Sequence, residues 1–317
     1  MFSVIICTYN GGERLRRVMD AILAQNSFEQ DVEELIIVDN HSNDNTKDIV
    51  REYTKKNTRI IYLYEENPGL SNARLCGVKY SSSKWIVFLD DDNFIQPNWL
   101  SFASLYIRSR SNVGAFNGHV IPKFEKELSE EQKKLIKASY LGLACSTYSE
   151  SVIPLINENR WSPFGAGLVV RAQPLKKLAD IGWLRSEGRK LDQIISGEDT
   201  EMTVWVKRQG YEWGFCNDMH LYHEIGQHRL EIDYLEKLYY SFGVANYAAI
   251  SQKKLYMLRR IKWLYIEGIE LIKALFENGR MLEKNEKYYK NKLAISRAKG
   301  YFNCLKEDKF IKNRRRK

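Results

Sequence analysis

Trp85-Ile-Val-Phe-Leu-Asp-Asp-Asp92 decides how this chain is read. Its apolar start is rich in β-branched and aromatic residues and has the length of a buried strand. Three carboxylates follow at once. Working outward, three earlier runs have the same form: Val4–Cys7, Leu35–Val38 and Ile60–Leu63. Each is followed by a polar loop: Thr8-Tyr9-Asn10-Gly11-Gly12, Asp39-Asn40 and Glu65-Glu66-Asn67-Pro68-Gly69. Amphipathic stretches separate them. Glu13–Ala24 sets Leu15, Val18, Met19, Ile22 and Leu23 on one face, Asn45–Lys55 follows a Ser42/Asn43 capping signal, and Ser71–Tyr80 follows Pro68-Gly69. The alternation predicts βαβ units and a doubly wound α/β sheet, in which ligands bind beyond the carboxyl ends of the strands.

Further along, Val113–Val120 reads as a strand and Glu125–Lys137 as an exposed charged helix. A turn-rich loop, Trp161–Gly167, precedes a strand at Leu168–Val170. Gly197-Glu198-Asp199 opens a helix through Val206, Tyr211–Cys216 reads as a strand, and the chain from Leu230 onward reads as helical.

Composition narrows the classes. The chain has 317 residues, 44% hydrophobic and 28% charged, which sustains a globular core and excludes wholesale disorder. No stretch approaches the ~18 apolar residues of a membrane span. The first residues lack a basic region and cleavage site, so the mature chain is expected to start there. Cys7, Cys76, Cys145, Cys216 and Cys304 are scattered and form no CxxC pair, which argues against a disulfide framework or a zinc ribbon. The net charge of +9 is unevenly placed: residues 251–317 hold 20 Lys/Arg against 7 Asp/Glu, so the rest of the chain is slightly acidic. Such a tail suits a polyanion, such as an anionic membrane face or nucleic acid; a helical cap on the main domain with a solvated charged face is the competing reading.

Asp90-Asp91-Asp92 is the sharpest chemical feature. Adjacent carboxylates repel, so at least one is expected to have a raised pKa. Mg²⁺ or Mn²⁺ relieves the repulsion, being commonly held by one or two carboxylates plus phosphate oxygens. A solvated acidic turn is the competing reading. Asp39 ends the second run, where it can accept from a base N–H or a ribose hydroxyl; a turn-forming Asp bonded among Asn40, Ser42 and Asn43 competes. Asn67-Pro-Gly-Leu-Ser-Asn-Ala-Arg74 puts a basic residue in the first turns of a helix, facing a diphosphate. The alternative is a capped helix with an exposed Arg. Glu198-Asp199 either stabilises a helix N-terminus or supplies a carboxylate base for an acceptor hydroxyl. His220, His223, His228 and Arg229 are expected to cluster after the Tyr211–Cys216 strand. There a His and an Arg can serve as metal ligand and leaving-group cation; surface or core histidines are the alternative.

In this order the residues resemble glycosyltransferase family 2, inverting enzymes with the GT-A fold. The resemblance covers about the first 230 residues. It rests on Val4-Ile-Ile-Cys-Thr-Tyr-Asn10, Ile37-Val-Asp-Asn40, Asn67 through Arg74, Phe88-Leu-Asp-Asp-Asp92, Gly165-Ala-Gly167, Glu198-Asp199 and His223 through Arg229. It implies a GT-A (Rossmann-like), mostly parallel sheet flanked by helices over residues 1–230, with a helical, basic extension over 231–317. It implies nucleotide-sugar contacts from Thr8, Tyr9, Asn10, Asp39, Asn67, Arg74, Asp90, Asp91 and Arg229. A divalent cation, Mn²⁺ or Mg²⁺, would sit on Asp92 and His223. Donor sugar and acceptor would meet around Gly165, Ala166, Gly167 and Glu198, with Asp199 as catalytic base. Gly226 departs from the family, many members of which carry Pro there.

The implied activity is inverting transfer from a nucleotide-diphosphate donor, a UDP-sugar, to a saccharide or lipid-linked acceptor in glycan or cell-surface polysaccharide assembly. The expected location is cytoplasmic, with peripheral contact to an anionic membrane through residues 251–317 and no nucleic-acid partner. A sugar nucleotidyltransferase is one rival, although Thr8–Glu13 is poor in the basic residues that cradle a triphosphate. A non-enzymatic polyanion- or membrane-binding protein is the other.

Overall fold

The computed structural model describes residues 1–139, 142–146, 162–182, 196–251, 265, 268–277 and 284–314. Trp161 and, in the basic tail, residues 252–264, 266–267, 278–283 and 315–317 lie outside them. The chain packs as two units. The first comprises Met1–Lys123, Ala144–Gln193 and Glu198–Ile225; the second comprises Phe124–Leu143, Ile194–Gly197 and Gly226–Lys317.

In the first unit the four apolar runs become β1 (Phe2–Thr8), β2 (Val32–Asp39), β3 (Ile60–Tyr64) and β4 (Trp85–Asp90). They pair in parallel, in the order β3-β2-β1-β4. The intervening helices are α1 (Gly12–Leu23), the single turn α2 (Phe28–Asp31), α3 (Thr46–Thr54) and α4 (Leu70–Tyr80). Strand side chains alternate, and both phases are apolar. Val4, Ile6, Leu35, Ile37, Val87 and Leu89 pack with Leu15, Val18, Met19 and Ile22 of α1 and Ile49 and Val50 of α3. Ile5, Ile36, Val38, Ile86 and Phe88 pack instead with Ala73 and Val78 of α4. Each such side chain gains about 1.5–3 kcal/mol on burial, so strands apolar on both faces require a helical layer on each.

Beyond β4 the sheet continues with β5 (Asn93–Ile95), β6 (Val113–Phe124), β7 (Leu168–Arg171) and β8 (Glu212–Ile225), in the full order β3-β2-β1-β4-β7-β6-β8-β5. Pairings β4/β7, β7/β6 and β8/β5 are antiparallel. Helix α5 (Trp99–Ser109) follows β5, α6 (Glu130–Ser139) belongs to the second unit, and α7 (Ala172–Asp180) and α8 (Glu198–Arg208) return to the first. Leu175 and Leu178 of α7 and Met202 and Val206 of α8 join Ile5 and Phe88 in the second core layer. The expected α/β sheet flanked by helices is therefore present. Because the chain runs outward from β1 to β3 and then crosses to β4, the strand order reverses between β1 and β4, where such sheets open a ligand crevice.

Three expectations need correction. His220 and His223 do not follow a strand ending at Cys216; they lie within β8, which continues to Ile225 and pairs Asn93 with His223. Alternate burial of Met219, Leu221, His223 and Ile225 extends the strand through its polar residues. The exposed charged helix begins at Glu130 rather than Glu125. Ser42 and Asn43 do not cap α3, whose N-cap is Asn45; they bond to the β1 loop, as described below.

The second unit holds α6, a 3₁₀ turn at Gln227–Leu230, α9 (Ile232–Ser251) and α10 (Glu286–Arg314). Tyr289 of α10 donates to Glu131 of α6 at 2.5 Å, and Lys292 pairs with Glu236 of α9 at 3.1 Å. All five cysteines are free thiols. Among the described residues, no helix is long and apolar enough to cross a membrane.

Candidate active site

The register that sets Cys7 beside Asp90 places the next residues, Thr8 and Asp91, across the β1/β4 reversal. The Thr8 hydroxyl donates to Asp91 Oδ2 at 2.6 Å. Arg14, in the first turn of α1, donates to the same carboxylate through Nε at 3.1 Å and Nη2 at 2.9 Å. A side chain at Gly11 would put its Cβ 2.2 Å from the Thr8 hydroxyl oxygen, so the loop closes over this bond only with glycine. Burial raises the Asp91 pKa against the pull of Arg14, the direction expected for the triplet, with the neighbouring Asp92 charge a lesser contributor.

The loops after β1 and β2 are sewn together. Asn10, at φ 52°, donates its N–H to Ser42 Oγ at 2.9 Å and accepts from the Asn43 N–H at 2.9 Å. The N–H groups of Gly11 and Gly12 both reach Thr46 Oγ1 at 3.1 Å. Asp39 is buried, accepting from the Ser42 N–H at 2.9 Å and from the Tyr62 hydroxyl at 2.7 Å. The turn-forming reading of Asp39 thus describes one of its oxygens. Each carboxylate oxygen has two lone pairs, so acceptor capacity remains. Asn40 spans to the loop after β3, donating to the Asn67 carbonyl at 2.8 Å and accepting from the Gly69 N–H at 2.7 Å. Asn67 itself donates to Glu65. Tyr9 stands 42% exposed beside this framework.

The exposed-Arg alternative fails for Arg74. Its guanidinium is buried, 3.2 Å from Glu198 Oε1 and 3.8 Å from Asp90 Oδ1, and it lies over the Phe88 ring. Burial works against its charge, but Glu198 and Asp90 raise its pKa on balance. The Asp90 side chain is 36% exposed, the most accessible of the triplet, whereas Asp92 is buried. Asp92 Oδ1 accepts from Asn93 Nδ2 at 2.8 Å, and its Oδ2 lies 3.4 Å from His223 Nε2. The β5/β8 pairing produces that contact.

Asp199, in the first turn of α8, accepts the Gly165 N–H at 2.9 Å through Oδ2 and the Thr200 N–H at 2.7 Å through Oδ1. Gly165 touches the neighbouring cluster too: a Cβ there would lie 2.7 Å from Arg74 Nη2. The loop is gripped from below by Asn117 of β6. This fully buried amide donates to the Phe164 and Ala166 carbonyls at 2.9 and 3.0 Å and accepts the Phe164 N–H at 2.8 Å. Gly167, at φ 66°, leads into β7.

The fold thus pairs Thr8 with Asp91, Arg74 with Asp90 and Glu198, Asp92 with His223, and Asp199 with Gly165, and the neighbours Asp90–Asp92 and Glu198–Asp199 link these pairs along the backbone. Arg229 sits in the 3₁₀ turn of the second unit. Sequence reading missed Arg14, Thr46, Tyr62 and Asn117. Asn117 did leave a signal: an amide inside the apolar Val113–Val120 run requires buried partners. Among the described residues, no three His, Cys, Asp or Glu form a metal cage by themselves. The Asp92–His223 pair suits a cation that takes its other ligands from phosphate and water.

Glycosyl transferase family 2 is the family model that matches, over residues 3–142. That stretch, under half of the chain, is similar to glycosyltransferase family 2. It runs from β1 through α6 and includes the whole β1/β4 reversal. The poly(ribitol-phosphate) β-N-acetylglucosaminyltransferase TarP of Staphylococcus aureus is 34% identical over 137 residues, which are 39% of this chain and 41% of TarP. The glycosyltransferase GlyA of Streptococcus pneumoniae is 32% identical over 98 residues, 31% of this chain and 14% of GlyA. The chain therefore spans well under two thirds of either relative. The S. aureus TarS 1–349 structure in complex with UDP-GlcNAc superposes with a TM-score of 0.55 at 18% identity, covering 87% of this chain and 71% of that one. This likeness shows the fold, which is the GT-A fold.

Proposed function

We propose that this chain transfers a sugar from a UDP-sugar to a hydroxyl of a saccharide or lipid-linked acceptor, inverting the anomeric carbon, in cell-surface polysaccharide assembly. One observation carries the reading: Asp199 is held by the Gly165 N–H, and its helix neighbour Glu198 is tied through Arg74 to Asp90 at the β1/β4 reversal. A carboxylate base and a nucleotide crevice thus share one framework. The UDP-GlcNAc named with TarS and the N-acetylglucosaminyl transfer named for TarP support the donor class.

Tyr9, Asn10 and Asp39 bind the nucleoside in this scheme. Asp90, the accessible acid of the triplet, faces the ribose and diphosphate. Asp92 and His223 would hold Mn²⁺ or Mg²⁺, which supplies positive charge against the departing diphosphate. Asp91 keeps the crevice walls in register through Thr8 and Arg14. Arg74 acts through Asp90 and Glu198, and Arg229 contributes a cation on the diphosphate side. Asp199 takes the acceptor proton while its backbone bonds fix its orientation; the hydroxyl oxygen then attacks opposite the leaving diphosphate. Because that group departs as an anion, one carboxylate base suffices, unlike the pair needed for glycoside hydrolysis.

A panel of nucleotide sugars, with and without chelator, tests the reading. The expected result is chelator-sensitive release of UDP with a glycosylated product. Release of pyrophosphate would identify a nucleotidyltransferase instead, and the absence of any turnover or nucleotide-induced thermal shift would favour a binding protein.

A further inference from the structure

The transfer reading leaves the basic tail unused. Residues 265 and 268–277 are helical. Ala274 is buried, so its side of the helix packs within the second unit. The acidic side chains described there are engaged: Glu270 pairs with Arg297, and Glu277 pairs with Lys287 at 3.3 Å. Tyr265, Ile272, Leu275 and Phe276 are 69%, 67%, 53% and 60% exposed. At 3.6 residues per turn Ile272, Leu275 and Phe276 fall within about 100° of arc, on the side away from Ala274.

Scattered apolar residues on a surface need no explanation, but a stripe along one helix face marks an interaction site. Its occupant follows from charge. The stripe lies in a segment, residues 251–317, with 20 basic and 7 acidic residues. Against a second copy of the chain it would bring two strongly cationic tails together, an arrangement that like-charge repulsion opposes. An anionic lipid surface instead takes the apolar side chains into the acyl boundary while its headgroups meet the lysines and arginines, the chemistry of an interfacial helix. We propose that the Ile272–Phe276 face docks the chain on anionic lipid.

The experiment is cosedimentation of the full chain with vesicles of phosphatidylcholine alone or mixed with phosphatidylglycerol, at low and high salt. The wild type is expected to bind the mixed vesicles at low salt, to release on adding salt, and to ignore phosphatidylcholine. Ile272→Glu combined with Leu275→Glu changes two exposed positions and is expected to cut vesicle binding at least about tenfold. Thermal midpoint and UDP-induced thermal shift should stay those of wild type, which separates this test from that of the transfer activity. The proposal is overturned if the wild type binds neither vesicle, if binding ignores lipid charge, or if the folded double variant binds as well as wild type. Light scattering that shows a wild-type dimer lost in the double variant would overturn it in favour of a second copy.

Discussion

The Thr8 hydroxyl donates to Asp91 Oδ2 at 2.6 Å, joining residues 83 positions apart across the point where the strand order reverses. The bond divides the acidic triplet by task. Asp91 is engaged by Thr8 and Arg14, and the proposed function gives the ligand chemistry to Asp90 and Asp92. Thr8→Val keeps the shape and removes the donor, leaving a buried carboxylate short of one bond. Urea denaturation is expected to show a loss of about 1–3 kcal/mol, and Thr8→Ser, which retains the hydroxyl, a smaller one.

Arg74 and Glu198 form a buried ion pair at 3.2 Å, and removing one partner strands the other charge. Arg74→Met is expected to cost about 3–5 kcal/mol. Adding Glu198→Leu should restore much of that stability, because two apolar side chains need no partner. A double variant no more stable than Arg74→Met would contradict this account of the pair.

Asn117 fixes the Phe164–Ala166 backbone, and through Gly165 the Asp199 carboxylate. Asn117→Asp keeps an acceptor and loses both donated bonds. About 1–3 kcal/mol per orphaned buried group is expected, together with a lower kcat and near-normal UDP binding. Denaturation and steady-state kinetics on the same preparation check both.

Burial pushes the Cys7 thiol up from 9.0 to about 12, with Arg74 pulling the other way. Between those two values the folded protein keeps a proton that the unfolded chain releases, so stability falls as pH rises through that window. Cys7→Ala should flatten this part of the stability–pH curve. Alkylation of native Cys7 near pH 8 should be slow beside that of the unfolded chain.

Much of this architecture is legible in the sequence because it is local. Val4–Cys7 and Trp85–Leu89 declare strands by composition, and the acids that follow them lie where a doubly wound sheet opens. What was not legible depends on distant partners. Arg14 reaches Asp91 across 77 positions, and Asn117 grips a loop 47 residues away. Tyr62 reads as one aromatic of a strand until Asp39 stands beside it. His220 and His223 hide their strand because β8 alternates buried with partly exposed positions and so lacks a continuous apolar run.

The claim at the centre is that Asp199 takes the acceptor proton from a site whose donor grip is built elsewhere. Asp199→Asn preserves size and can still accept the Gly165 N–H, so the most direct measurement is its kcat for sugar transfer beside its UDP affinity. The expected result is a fall in kcat of about 10²–10⁴-fold with UDP affinity unchanged. Turnover close to wild type would contradict the account.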